Sequence, residues 1–125
     1  MRAALAVLIV VLLACTAAVA RENRKTLRFE RGADSATVQG AVIRGDRDVY
    51  DLGARAGQTM EVSVTAFEDN AVFQVFAPGG KPLPGADEGD DAKAWKGALP
   101  ASGTYRIVVG GTRGNAEYAL TVSIR

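Results

Sequence analysis

Apolar and polar residues alternate with a period of two through most of the chain. In "TMEVSVTAF" Met60, Val62, Val64 and Ala66 share one face, and Thr59, Glu61, Ser63 and Thr65 the other. "EYALTVSI" sets Tyr118, Leu120, Val122 and Ile124 together, and "TYRIVV" does the same with Tyr105, Ile107 and Val109. "TLRFER" pairs Leu27 with Phe29. Such alternation marks strands with one face on a core and one in water. Weaker runs at 36–43, 48–53, 71–77 and 92–99 also read as strands. Turn signals separate them: Arg44-Gly45-Asp46, Ala56-Gly57-Gln58, Pro78-Gly79-Gly80, Pro100 to Gly103, and Gly110-Gly111. No stretch after residue 20 carries a capped 3.6-residue apolar period. Seven to eight short strands at this spacing predict an all-β fold, an antiparallel β-sandwich.

The first twenty residues differ. Residues 3–14 (AALAVLIVVLLA) form an apolar run behind Arg2, shorter than the roughly 20 residues a membrane-spanning helix needs. Ala18-Val19-Ala20 follows with small residues where signal peptidase reads. The pattern predicts a secretory signal peptide at 1–20, a loose lead-in at 21–26 and one domain at 27–125. "Leu12-Leu13-Ala14-Cys15" also approaches a lipobox, which makes Cys15 the alternative exit, by lipidation. Either route places the protein in the periplasm or outside the cell, and a lipid at Cys15 is the only membrane attachment expected.

Composition narrows the chemistry. The chain has no His, and its one Cys is Cys15. The mature chain therefore carries no disulfide, no imidazole base, no Ser-His-Asp or Cys-His pair and no zinc site of nitrogen and sulfur ligands. Without Arg2 the basic residues equal the 14 acidic ones, which argues against nucleic acid as a partner. No cofactor is expected, and an enzyme is not.

Several residues carry two readings. Asp46, Asp48 and Asp51, and then Asp87, Glu88, Asp90 and Asp91, supply oxygens of the kind calcium takes, yet lack EF-hand spacing and read equally as solvated loops. The same carboxylates suit glycoside hydrolysis only if a cleft brings two together. Trp95, between Lys93 and Lys96, is a stacking surface or a core residue. Arg113 in "GGTRGN" is an exposed guanidinium fork suited to a partner's carboxylate, or a plain loop charge. Tyr105 shares the parity of Ile107 and Val109, and Ser102 is a natural turn former.

"FERGADSATVQGAVIRG", "DVYDLGARAGQTMEVSV" and "LPASGTYRIVVGGTRGNAEYALTVSI" resemble the bacterial periplasmic inhibitors of g-type and i-type lysozymes, over nearly all of residues 27–124. The most specific pieces are Phe29, Gly32, Ser35 and Ala36 of the opening, "AGQ" at 56–58, and the Ser-Gly-x-Tyr turn of Ser102, Gly103, Thr104 and Tyr105. "AGQ" and "LPASGTY" are also similar to pre-peptidase C-terminal domains of secreted proteases. That likeness supplies the alternative function, a carbohydrate- or envelope-binding module. The inhibitor resemblance implies a β-sandwich whose Ser-Gly-x-Tyr loop enters the muramidase cleft. It implies that Ser102 bonds a catalytic carboxylate, that Gly103 and Tyr105 help fill the groove, and that Arg113 pairs with acidic groups of the enzyme. Two stretches depart from the g-type pattern. The turn after Gly45 reads "DRDVY", one residue shorter, where g-type inhibitors carry an additional tyrosine, and "GGTRGNAEY" lacks the second arginine expected beyond Arg113. These departures leave open an i-type inhibitor, or a relative that kept the fold and lost the target.

Overall fold

A computed structural model describes residues 21–125; the expected signal peptide at 1–20 and Cys15 lie outside the described residues. Eight strands run in order: β1 (Glu22–Thr26), β2 (Ser35–Val42), β3 (Arg47–Ala54), β4 (Thr59–Ala66), β5 (Ala71–Phe76), β6 (Ala94–Ala98), β7 (Gly103–Gly111) and β8 (Ala116–Ile124). They form two four-stranded sheets, ordered β1-β3-β7-β5 and β2-β8-β4-β6. All pairings are antiparallel except β1 on β3. The expected sandwich is therefore the observed one. Consecutive strands always lie in opposite sheets, so every connection crosses between the layers.

The alternating faces meet in one core. Met60, Val62, Val64, Leu120 and Val122 from one sheet face Tyr50, Leu52, Phe73, Val75, Tyr105, Ile107 and Val109 from the other, all buried. At roughly 1.5–3 kcal/mol per large side chain removed from water, this layer is the main source of stability in a chain without disulfides.

Two details depart from expectation. The segment expected as a loose lead-in is strand β1, though all five of its residues are exposed. It is fixed by backbone pairing with β3, from Glu22 opposite Arg47 to Thr26 opposite Asp51. The strand expected at Leu27–Phe29 does not form. After Leu27 donates its N–H to Asp51 (2.8 Å), the chain leaves one sheet for the other. Leu27 and Phe29 then plug the gap between the layers rather than line a ladder.

Among the described residues two polar side chains are buried, Asp48 and Asn70. Asp48 points inward from β3, where the Tyr118 hydroxyl donates to Oδ2 and the Asn23 amide to Oδ1 (3.2 Å). The Tyr50 and Tyr118 hydroxyls are 2.6 Å apart. Burial, followed by the hydrogen bonds to Asp48 and Tyr50, pushes the Tyr118 phenol far above the usual tyrosine range. Tyr118 lies so close over Gly40 that a Cβ there would collide with its ring.

Candidate partner-binding site

The β6–β7 connection is built against the β3–β4 turn. Leu99 is buried; its N–H donates to the Gln58 carbonyl (2.8 Å), and its own carbonyl accepts from Gly57 (2.9 Å). The Ser102 Oγ accepts the Ala56 N–H at 2.9 Å. The Gln58 side chain caps the Arg55 N–H at 2.7 Å. Gly57 supplies the positive φ (+85°) that this turn requires. "AGQ" and "LPASGTY", separate in the sequence, are thus the two halves of one staple.

Tyr105 anchors the staple from below. It is fully buried, opposite Leu52 on β3. Its hydroxyl donates to the Ala101 carbonyl (2.6 Å) and accepts the Ala101 N–H (3.2 Å). A tyrosine hydroxyl returning to backbone a few residues upstream is a recurrent corner device of β-sandwiches. This corrects the expectation that Tyr105 presents itself to a partner: its parity with Ile107 and Val109 puts it in the core. Gly103 has φ +146°, and a Cβ there would press on Pro78 at 2.9 Å, so glycine is needed on both counts. Ser102, Gly103 and Thr104 stay exposed on the rim. Arg55 is exposed one residue from the Ala56–Ser102 bond. Sequence reasoning passed over this cation; its place beside the Ala-Gly-Gln turn was the available signal.

Arg113 lies elsewhere. β7 begins beside Ser102 and ends before the loop that holds Arg113. Its nine residues are separated by steps of about 3.3 Å, so first and last lie about 26 Å apart and hold the two groups at opposite ends. The expected contact group of Ser102, Gly103, Tyr105 and Arg113 is therefore not one surface. At the far end Arg113 Nη2 donates to the Glu68 carbonyl (3.0 Å). Buried Asn70 donates to the carbonyls of Arg113 (3.2 Å) and Asn115 (2.9 Å). Both departures from the g-type pattern, after Gly45 and at 110–118, fall at this far end.

The remaining candidates do not converge. Asp48 points into the core, Asp51 outward toward Arg24 (3.8 Å) and Arg106 (3.6 Å), and Asp46 accepts the Arg21 N–H (3.1 Å). Asp87 and Asp90 cap their own loop, accepting the N–H groups of Glu88 (2.6 Å) and Asp87 (2.9 Å). Among the described residues no three His, Cys, Asp or Glu are gathered as a metal site. Trp95 is half-buried, donates to the Pro84 carbonyl (2.9 Å) and packs at the core edge beside Gly97.

No protein-family model matches the chain. A curated protein of Escherichia coli K12, an inhibitor of g-type lysozyme, is 31% identical over 120 residues, 90% of this chain and 84% of that protein. Among solved structures, Aeromonas hydrophila PliG, a periplasmic inhibitor of g-type lysozyme, matches with TM-score 0.73 and 37% identity over 86% of this chain and 100% of that one. Salmonella Typhimurium PliG matches with TM-score 0.66 and 27% identity over 82% and 98%. The pre-peptidase C-terminal domain of a Bacillus anthracis collagenase, at 18% identity and TM-score 0.52 over 86% and 97%, shares the fold alone. With an E. coli relative matched along most of both chains, the protein belongs to the family of g-type lysozyme inhibitors.

Proposed function

We propose that the chain is a periplasmic inhibitor of g-type lysozyme, not an enzyme, and that it obstructs the muramidase cleft with its Ser102 rim. The observation that carries this reading is kinship with proteins named as inhibitors of g-type lysozyme, along most of both chains.

The rim supplies the means. With its oxygen accepting from Ala56, the Ser102 hydroxyl keeps its own proton for an outside acceptor. A glycosidase cleft offers carboxylates at that point, and a bond from a hydroxyl to a carboxylate is among the stronger ones available. Tyr105 and Leu99 hold the rim before binding, so little ordering entropy opposes docking. Arg55, not Arg113, is the cation near enough to accompany Ser102 into one cleft.

The test is lysis of peptidoglycan by g-, i- and c-type lysozymes with the purified protein added. Near-stoichiometric inhibition of the g-type enzyme, weakened in Ser102→Ala, is expected. Unimpaired g-type lysis would overturn the reading. Inhibition confined to an i-type enzyme would move the target.

A further inference from the structure

The two sheets do not end together on the side formed by β1 and β2. Asn23 lies beside Asp48 and Lys25 beside Tyr50, so both turn toward the inner face of their sheet. Asn23 does reach Asp48 Oδ1 (3.2 Å). Yet both residues are exposed, because among the described residues no strand lies beneath them: the other sheet ends at β2. β3 already stands at this margin. Tyr118 lies over Gly40 of β2, and its hydroxyl meets Asp48 and Tyr50 of β3. β1, one strand further out, therefore overhangs. On the same side Phe29, Ala36 and Val38 pack on the core but are only partly covered.

The backbone edge of β2 is open as well. The Ile124 N–H bonds the Asp34 carbonyl (2.9 Å), and in an antiparallel ladder bonded and free residues then alternate. Ala36, Val38, Gly40 and Val42 face β8, while Ser35, Thr37, Gln39 and Ala41 turn their N–H and C=O groups outward. Among the described residues no backbone group meets them. The other edges are protected. Along β5, Phe73 donates to the Ala92 carbonyl and Val75 to the Ala86 carbonyl (both 2.9 Å). β6 has five residues, and β1 carries Glu22, Arg24 and Lys25. β2 has eight residues without a charge or a proline, the kind of edge that invites a further strand.

We infer that an extended peptide segment of another protein adds to the sheet here, laid along β2 beneath β1. Its backbone bonds the open groups of Ser35, Thr37, Gln39 and Ala41, the mode of β-strand addition. Its inward side chains cover Ala36, Val38 and Phe29 and meet the uncovered face of β1. One added strand thus answers both the open edge and the overhang. Lys25 sets the charge of the occupant. It is the one charged side chain that β1 turns inward, it is in no ion pair among the described residues, and β2 has no charge to offer it. The segment that fits alternates apolar residues with polar ones and carries an acidic residue on its apolar face. A second copy fits less well, since joining β2 to β2 brings two overhanging β1 strands, each with Arg24 and Lys25, into the same space.

The probe is a short blocked peptide of alternating threonine and valine, with glutamate in the middle valine position, titrated into the purified protein. Amide hydrogen exchange reads the edge directly. Without peptide, Thr37, Gln39 and Ala41 should exchange fast and Val38 and Gly40 slowly; with peptide, all should be slow. Thr37→Pro removes an outward donor and spares the bonds to β8, so it should weaken peptide binding about tenfold. Lys25→Glu should weaken binding of the glutamate peptide and favour a lysine counterpart; this charge swap decides alone if Thr37→Pro does not fold. No gain of protection at millimolar peptide, or equal affinities in Lys25→Glu, would overturn the inference. Slow exchange at Thr37 and Gln39 that fades on dilution would assign the edge to a second copy and overturn it as well.

Discussion

The Tyr105 hydroxyl and the Ala101 backbone are bonded in both directions, donating at 2.6 Å and accepting at 3.2 Å. The rim that carries Ser102 therefore rests on a core residue. Tyr105→Ala should lower unfolding free energy by about 3–5 kcal/mol, much of the stability of a small domain. Tyr105→Phe keeps the packing and should cost about 1 kcal/mol, yet it frees the rim and should raise the inhibition constant. Urea melts beside inhibition titrations separate these effects. A Tyr105→Phe variant with an unchanged inhibition constant would show that rim rigidity is irrelevant.

Ser102 and Arg113 should act independently. Groups so far apart, with no shared partner, change binding additively within about 0.5 kcal/mol. A double-mutant cycle with Ser102→Ala and Arg113→Ala is expected to show no coupling. Strong coupling would mean that one enzyme surface grips both ends.

Arg55 should give inhibition a dependence on salt. Arg55→Ala should slow association with lysozyme and flatten its response to ionic strength, because an exposed cation steers encounter more than it holds the complex. Stopped-flow rates at two salt concentrations decide this. Equal rates for wild type and variant would exclude Arg55 from the approach.

Tyr118 should make the fold less stable at alkaline pH. Its phenol titrates higher in the folded protein than in the unfolded chain. The unfolded form therefore releases its proton first, and stability falls as pH rises above about 10. Below that pH the contribution is intact. Unfolding free energy measured across the alkaline range should decline for wild type and lose part of that slope in Tyr118→Phe.

Strands β2 to β5, β7 and β8 were legible because each sets side chains toward the core at every second position, whereas β6 came from a weaker run and only half-buries Trp95 and Gly97. β1 was not, since "ENRKT" buries no side chain and is held by its backbone alone. The aspartates at 46, 48 and 51 looked like a cluster only while strand parity was ignored; Asp48 shares its parity with Tyr50 and Leu52, and all three are buried. Parity likewise favoured a core Tyr105. The separation of Ser102 from Arg113 follows from counting the strand between them. The staple was invisible, because nothing local shows that residues 56–58 and 99–102 meet.

Both sheets are completed by the final stretch of the chain: β7 lies between β3 and β5, and β8 between β2 and β4. A polypeptide emerging from its N-terminus can therefore close neither layer until nearly all of it is available. Premature collapse during synthesis has no native template to settle into. For a precursor exported as its first twenty residues predict, this late closure favours passage through a translocation pore before the sandwich forms.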